Sequence, residues 1–141
     1  MDPTDVEIKA VVSWPADDIV KLYKAGGWWK YSYDPSRIPD LIKGSYLFSV
    51  IVQKGTGKAI GMGRILSDGV SDAYLQDIVV LPEFRGQGLG KQLVTFLLDT
   101  CLSKGILWIG LIAEPDQDGF YRPLNFKIMD GYVPMRYHSG E

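Results

Sequence analysis

The chain has 141 residues, of which 46% are hydrophobic and 23% are charged, and its net charge is −2. This length and composition predict one globular domain, residues 1–141, able to bury a core without disulfide or metal support, and no metal site is expected. A slightly acidic chain lacks the basic footprint of a nucleic-acid-binding protein. No apolar run approaches the ~20 residues of a membrane span, so neither nucleic acid nor membrane is an expected partner.

The cysteine count and the first residues bear on location. Cys101 is the single cysteine and lies in an apolar helical pattern, which predicts a buried small hydrophobe rather than a nucleophile. One cysteine forms no intrachain disulfide, which suits a reducing compartment. Residues 1–5 lack the basic and apolar regions of a signal peptide. A cytoplasmic location is therefore expected.

The first part of the chain predicts a strand followed by two helices. Residues 6–12 alternate apolar and polar side chains in part, as a half-buried strand does. Pro15 and the acidic residues after it indicate a helix start, and the glycine pair at 26–27 indicates its end. Residues 35–43 are expected to form a short second helix, whose length Pro39 limits.

Four aromatic residues lie within the six-residue stretch between these helices: Trp28, Trp29, Tyr31 and Tyr33. Dense aromatics without a clear period are typical of a core, or of a lid packed on the core. The alternative is one wall of an acceptor-substrate pocket, since such pockets are lined by aromatic side chains. Both interpretations remain open from the sequence.

Three strands close in sequence are expected to form an antiparallel meander. They are predicted at residues 46–53, 59–66 and 74–81, each rich in apolar or β-branched side chains. Gly61 and Gly63 weaken the middle strand, and they predict a bulge or a close backbone approach there.

A glycine-rich turn follows the third of these strands. Pro82 ends the strand, Gly86, Gly88 and Gly90 follow at alternate positions, and an apolar helical pattern runs to about Lys104. Strand, glycine turn and helix form a device for binding phosphate, because backbone N–H groups and the helix N-terminus converge on an anion. The structural alternative is a tight turn without a ligand.

The spacing within this turn excludes two common phosphate loops. A Walker A loop requires a glycine in place of Arg85, and the dinucleotide pattern G-x-G-x-x-G requires one in place of Lys91. The pattern Q/R-x-x-G-x-G/A is satisfied by Arg85, Gly88 and Gly90. In this context it closely resembles the coenzyme A pyrophosphate loop of the GNAT superfamily of N-acetyltransferases.

The rest of the chain is consistent with that resemblance. Residues 106–113 form a continuous apolar run, which predicts a strand buried on both faces and parallel to its neighbour. Residues 119–124 predict a short helix or turn, and one or two strands are expected from residue 126 onward. The resulting order resembles the GNAT fold from end to end. It is an α/β (α+β) fold with a mixed central sheet, an antiparallel meander, a βαβ coenzyme A-binding unit at 74–113, and helices on both faces.

The resemblance implies acetyl-CoA as cofactor and assigns residues to it. The expected contacts come from the strand before the turn, from the turn and from a Phe-Tyr pair: Ile78, Val79, Val80, Arg85, Gly86, Gln87, Gly88, Leu89, Gly90, Lys91, Phe120 and Tyr121. Val79 and Val80 are expected to contribute main-chain groups to the pantetheine arm.

Tyr121 is the expected general acid. It stands in Phe-Tyr-x-x-x-Asn-Phe, where GNAT enzymes usually have Phe-Tyr-x-x-x-Gly-Phe with a tyrosine that protonates the leaving thiolate. A phenol of pKa ~10 is protonated at neutral pH, as that role requires. The alternative is a tyrosine that only packs. Asn125 tolerates the left-handed conformation of the usual glycine, whereas Pro123 fits only a helix of a single turn.

The general base is less clearly indicated by the sequence than the general acid. GNAT enzymes often use a carboxylate on the strand before the loop, or a water held there, and Asp77 is the candidate. Gln76 competes with it, since an amide orients a water but takes no proton. Glu114 is a second carboxylate, and a hydrogen bond to a loop is the structural alternative for Asp77.

The predicted activity is acetyl transfer from acetyl-CoA to a primary amine by direct attack. The acceptor is expected to be a small molecule held by Trp28, Trp29, Tyr31 and Gln76, and a homodimer is possible. Two alternatives stay open. One is a non-catalytic acyl-CoA-binding or regulatory module, and the other is a peptide or protein amine as acceptor.

Overall fold

A computed structural model describes residues 5–140. Most of the N-terminal residues on which the signal-peptide argument rests lie outside the described part. The chain divides into two compact units. We call the part through Leu111 the sheet unit and the part from Ile112 the C-terminal unit. Among the described residues, no helix has the length and apolar character of a membrane span.

Five strands form one sheet in the sheet unit. They are β1 (Val6–Val11), β2 (Leu47–Gln53), β3 (Lys58–Ser67), β4 (Asp72–Val80) and β5 (Trp108–Gly110), and they lie side by side in that order. The pairs from β1 to β4 are antiparallel, and β4 pairs with β5 in parallel. The mixed sheet and its antiparallel meander are therefore confirmed.

Three helices accompany the sheet. The first, α1 (Ala16–Ala25), begins directly after Pro15 and ends at Gly26. A 3₁₀ turn leads into α2 (Ile38–Gly44), which tolerates Pro39 because the proline lies in the first turn, where its missing N–H needs no partner. The third, α3 (Leu89–Ser103), follows the glycine turn, and Gly105 comes shortly after it with a left-handed backbone.

The helices pack on the two central strands, β3 and β4. Both α1 and α3 contact these strands, and their apolar stripes supply fully buried side chains to the core, among them Ile19, Leu22, Leu93, Leu97 and Cys101. Each buried Leu or Ile stabilises the fold by roughly 1.5–3 kcal/mol. Cys101 is a free, buried thiol, as predicted.

The strand predicted at residues 106–113 is much shorter than expected. Only Trp108–Gly110 forms a ladder, and the side chain of Leu107 is 81% exposed. The prediction of an eight-residue strand buried on both faces is wrong. As the last strand of the described sheet, β5 has a neighbour on one side only, and hydropathy alone does not distinguish a central strand from an edge strand.

The C-terminal unit contains a short helix. Residues Asp118–Tyr121 form α4, and a 3₁₀ turn, Arg122–Leu124, continues it, as predicted for 119–124. The prediction of strands after residue 126 is wrong, because the described residues up to 140 contain none there. The N–H of Tyr132 donates to the carbonyl of Met129 at 3.1 Å to close a turn, but the flanking segments do not pair. An isolated two-stranded hairpin is marginal in water, and a proline at 134 removes one donor.

Candidate functional site

A bulge interrupts the ladder between β3 and β4. Between the pairs Met62–Val79 and Arg64–Gln76, β3 has one residue, Gly63, whereas β4 has two. A Cβ atom on Gly63 would lie 3.1 Å from the side chain of Leu97 on α3, so the backbone approaches the helix closely. Of the two predicted alternatives for β3, a bulge or a close backbone approach, the close approach is confirmed at Gly63, whereas the extra residue of this bulge lies on β4.

The bulge places Asp77 in a left-handed backbone conformation, with φ of 59°. Its Oδ2 accepts a hydrogen bond from Arg64 Nε at 2.7 Å and another from the Tyr23 hydroxyl at 2.7 Å. The pair is largely sequestered from water, since the side chains of Arg64 and Asp77 are only 17% and 20% exposed. The three side chains come from β3, β4 and α1, and we call them the Asp77 clamp.

Tyr23 joins the Asp77 clamp to the aromatic stretch. Its ring is buried and lies 6.2 Å from the ring of Trp28 and 6.3 Å from that of Trp29. Burial raises the pKa of the Tyr23 phenol above its ordinary value of 10, and the negative charge of Asp77 raises it further. The hydroxyl therefore remains a hydrogen-bond donor across the neutral range.

The aromatic stretch itself divides into packed and exposed members. The ring of Trp29 lies 5.4 Å from that of Tyr33, edge to face, whereas the side chain of Tyr31 is fully exposed. Trp28 and Trp29 are half-buried and Gln76 is exposed. Packing and an open aromatic surface are thus both present in the stretch, on different residues.

The two parallel strands separate soon after they meet. Pairing of β4 with β5 covers only Asp72–Tyr74, and in the described residues the rest of β4 has no partner on that side. Val79 and Val80 lie in this unpaired part, with buried side chains. Backbone groups without a ladder partner require another hydrogen-bonding partner. Arg85 Nε supplies it for the carbonyl of Val80, and a ligand lying along the strand would supply it for the others.

The glycine turn opens α3 with free backbone donors. Gly86 has φ of 79° and Gly88, the N-cap of α3, has φ of 81°. A Cβ atom on either would meet no heavy atom of the described chain within 4 Å. No side chain caps α3, so the first N–H groups of a 15-residue helix are left for an anion. Leu89 points into the core, which leaves only its backbone for a ligand.

Three polar side chains of the turn are placed differently. Arg85 is exposed, and its Nε donates to the carbonyl of Val80 at 2.8 Å, which ties the turn to the end of β4. The side chains of Gln87 and Lys91 are exposed at the turn and at the first turn of α3. Arg85 thus has a structural role in addition to any contact with a phosphate.

The C-terminal unit holds Tyr121 in an aromatic group. The ring of Tyr121 lies 4.9 Å from that of Phe120 and 5.8 Å from that of Phe126, both edge to face. Burial raises the pKa of its phenol, and the negative charge of Glu114 adds to the rise. Asn125 is left-handed, with φ of 69°, as its substitution for glycine predicts.

Pro123 is accommodated in a 3₁₀ turn. It lies at the start of Arg122–Leu124, where its missing N–H leaves no helical hydrogen bond unmade. The departure from the family pattern at this position is therefore compatible with the helix that carries Tyr121.

Sequence reasoning missed two residues of this region, Arg64 and Tyr23. Neither residue is among the candidates named from the sequence. For Arg64 the available signal was a charge within residues 59–66, which are otherwise apolar or glycine, because such a charge requires a partner.

Comparison with known proteins identifies the family. The model of the acetyltransferase (GNAT) family matches residues 10–126. The uncharacterized N-acetyltransferase ycf52 of Pyropia yezoensis is 32% identical over 124 residues, covering 86% of this chain and 70% of its own length. Serotonin N-acetyltransferase 2, chloroplastic, of Oryza sativa subsp. japonica is 40% identical over 72 residues, 51% of this chain and 36% of that protein.

A solved structure agrees with the sequence relatives. A GNAT-family acetyltransferase of Streptococcus pneumoniae TIGR4 superposes with a TM-score of 0.78 at 26% identity, covering 96% of this chain and 99% of that one. The match therefore includes the sheet, the glycine turn and the helix that follows it. The chain belongs to the GNAT family of acetyltransferases.

Proposed function

We propose that this chain is an acetyl-CoA-dependent N-acetyltransferase that acetylates the primary amine of a small molecule. The observation that carries the proposal is the separation of β4 from β5 beside a glycine turn that opens α3. Beyond Tyr74 one edge of β4 has no strand partner, and the turn offers free amides. An extended arm joined to a pyrophosphate matches both features. In this proposal, residues 1–141 act as a single domain.

The residues present fit coenzyme A. The amides of Gly86–Lys91 would hold the pyrophosphate, and the backbone of Ile78, Val79 and Val80 would hold the pantetheine arm. Phe120 and Tyr121 are the residues that the family resemblance assigns to the thioester end. Acetyl-CoA supplies an acetyl group activated as a thioester, and the chain's own groups orient it and move protons.

Tyr121 is the proposed acid. Its raised pKa keeps the phenol protonated at neutral pH, so it has a proton to give to a leaving thiolate of pKa ~8.5. This residue distinguishes the enzyme from the alternative, an acyl-CoA-binding module that lacks proton-transfer groups.

For the amine proton we propose a water oriented by Gln76. The side chain of Gln76 is exposed on β4, where it is free to hold a water. Asp77, the predicted base, already accepts two hydrogen bonds on Oδ2, one of them from a guanidinium. These two bonds hold the carboxylate toward α1 and β3. Glu114, which acts electrostatically on Tyr121, remains the other carboxylate candidate.

A primary arylalkylamine, whose amine is carried on an alkyl chain attached to an aromatic ring, is the proposed acceptor class. The exposed Tyr31 and the half-buried Trp28 and Trp29 offer ring faces to a flat apolar group. The rice relative acts, by its name, on serotonin, which is a primary arylalkylamine. We further propose a cytoplasmic location, since the unpaired Cys101 suits a reducing compartment. A homodimer is compatible with this proposal.

The test combines binding with turnover. Coenzyme A retained by the purified protein is measured by mass spectrometry, and thiol release from acetyl-CoA is then followed with a panel of arylalkylamines, simple alkylamines and a lysine peptide. We expect release with arylalkylamines. Retention of coenzyme A without release on any amine would favour the non-catalytic module, and release with the peptide alone would replace the small-molecule acceptor.

Tyr121→Phe tests the acid. We expect about a hundredfold lower kcat, or a larger loss, because general acid catalysis contributes on that order, with the dissociation constant of coenzyme A nearly unchanged. Tyr137→Phe is the matched control, since Tyr137 is largely exposed in the same unit. Wild-type kcat in Tyr121→Phe, measured where chemistry limits the rate, would remove Tyr121 from the mechanism.

A further inference from the structure

We propose that Asp77 is a positioning residue, which the side chains of Arg64 and Tyr23 hold in the left-handed conformation that creates the β4 bulge. This inference rests on the proposed function, because the backbone it positions, Ile78 to Val80, is the proposed contact for the pantetheine arm. It gives Asp77 a task in binding the cofactor rather than in accepting the amine proton.

The backbone of Asp77 requires such support. A non-glycine residue rarely adopts a φ of 59° without support. Asp77 accepts two charge-assisted hydrogen bonds on one oxygen, each at 2.7 Å. The two bonds offset the strain, and they fix the direction of the carboxylate from two sides.

The direction matters because the bulge reorients the strand beyond it. One residue of β3 faces two residues of β4 at this point. Since side chains alternate along a strand, one extra residue shifts the next residues to the opposite face. The conformation of Asp77 thus decides which way the backbone of residues 78–80 faces, next to the point where β5 no longer pairs with β4.

The two side chains that hold Asp77 are themselves held by their neighbours. Tyr23 is packed against Trp28 and Trp29, and Arg64 Nη1 lies 3.5 Å from Ser45 Oγ, which donates to the carbonyl of Leu41 at 2.9 Å. A rigid donor on each side leaves the carboxylate little freedom.

Three substitutions of Asp77 separate positioning from base catalysis. Asp77→Gly adopts a positive φ freely, Asp77→Asn tolerates it and still accepts hydrogen bonds, and Asp77→Val opposes it. We expect coenzyme A affinity within about threefold of wild type for Asn and Gly, and at least about tenfold weaker for Val, since 1.4 kcal/mol of strain corresponds to tenfold. Asp116→Val is the matched control, because Asp116 has φ of 65° in the C-terminal unit.

If Asp77 were the general base, its substitutions would give a different pattern of effects. Asp77→Asn and Asp77→Gly would then lose kcat by about a hundredfold or more, lose the acidic limb of the pH profile of kcat, and bind coenzyme A as wild type does. That result would overturn the proposal, and so would wild-type coenzyme A affinity in a folded Asp77→Val protein.

If Asp77→Val does not fold, a rescue experiment tests the proposal instead. Arg64→Leu alone leaves the largely sequestered Asp77 carboxylate without its cationic partner, and we expect weaker coenzyme A binding. In Arg64→Leu/Asp77→Gly the charge is gone and glycine needs no clamp, so affinity should return to within about threefold of wild type. Absence of rescue in a folded double variant contradicts the proposal.

Amide hydrogen exchange of residues 78–80, measured without ligand, distinguishes this inference from the proposed function. Faster exchange there in Arg64→Leu than in wild type supports the clamp even if wild-type protein does not bind coenzyme A, in which case only the proposed function fails. Unchanged exchange in Arg64→Leu would contradict the proposed role of the Asp77 clamp.

Discussion

Two left-handed backbone sites flank the end of β4, and they are stabilised in opposite ways. At Gly86 and Gly88 the positive φ is intrinsic to glycine, and the space where a Cβ atom would lie is open. At Asp77 the positive φ belongs to a residue with a side chain, and Arg64 and Tyr23 secure it. The first site is set by one residue type, and the second by a long-range network.

The two sites also differ in which backbone groups they leave accessible to a ligand. A glycine turn needs no supporting side chains, so its N–H groups and the space around them remain open to an anion. The bulge is enclosed by side chains from α1 and β3. Its effect is therefore on the orientation of the backbone that follows it. We therefore expect substitutions in the turn to act directly on ligand binding, and substitutions in the Asp77 clamp to act through the strand.

The largest expected effect is at Gly88. Gly88→Val places a β-branched residue at φ of 81° and a side chain where a phosphate would contact the backbone. Loss of even one amide bond to a charged group removes roughly 1.5–3 kcal/mol, so coenzyme A affinity should fall by about tenfold to more than a hundredfold. Calorimetric titration measures this loss.

Gly57→Val separates the ligand effect from backbone strain. Gly57 has φ of 69° and equally open space in the described structure, but it lies in the turn between β2 and β3. We expect it to lower the unfolding temperature as Gly88→Val does while binding coenzyme A normally. Equal loss of binding in both variants would mean that the effect is general strain, and the turn would no longer be the phosphate cradle.

A smaller effect is expected at Arg85. Its Nε bond to the carbonyl of Val80 anchors the turn to β4, whereas an exposed charge contact with a phosphate contributes about 0–1 kcal/mol. Arg85→Ala should therefore weaken coenzyme A binding by less than about tenfold and lower the unfolding temperature.

Arg85→Lys distinguishes anchoring from charge, because it keeps the charge and loses the Nε donor. Affinity and stability close to those of Arg85→Ala would support anchoring. If Arg85→Ala instead damages binding more than Gly88→Val does, the pyrophosphate is held mainly by charge, and the comparison of the two sites fails.

The smallest effect concerns the Asp77 clamp in alkaline solution. The pKa of Tyr23 is raised in the folded state, mainly by burial. Its contribution to stability is therefore fully present below the unfolded value of about 10, and it is lost as pH rises from there toward the folded value. The unfolded chain releases a proton that the folded one keeps, so stability falls by up to about 1.4 kcal/mol per pH unit.

Tyr23→Phe should remove this part of the slope. Urea unfolding between pH 9 and about 11.5 compares the variant with wild type and with Tyr31→Phe, whose ring is fully exposed. Tyr31→Phe should keep the wild-type slope. A Tyr23→Phe slope identical to wild type would show that the hydroxyl does not keep its proton in the folded protein.

Much of the fold was predictable because its signals are local. The meander, the two main helices, the glycine turn and the short helix carrying Tyr121 follow from apolar period, proline and glycine, each acting within a few residues. The length and burial of β5 were not predictable in this way. An apolar run such as residues 106–113 has the same hydropathy whether a neighbouring strand pairs with it or not.

The residues of the candidate site also divide into those that local sequence signals reveal and those that depend on long-range contacts. The glycine turn and Tyr121 were recognisable as motifs, because chain geometry brings consecutive residues to one point. Asp77 was visible as a charge in a strand, but its partners were not, since Tyr23 lies 54 positions away in the chain and Arg64 lies 13 positions away.

The sequence by itself determined where β4 ends, where the turn bends and where α3 begins, because glycine, proline and β-branched residues set local backbone energies. Only the tertiary structure decided that Asp77 adopts a left-handed conformation and that the ladder bulges there. That outcome requires α1 and β3 to deliver a hydroxyl and a guanidinium to the same oxygen. No local preference favours it for an aspartate within a strand, and the energy that stabilises it exists only when the three elements are packed together.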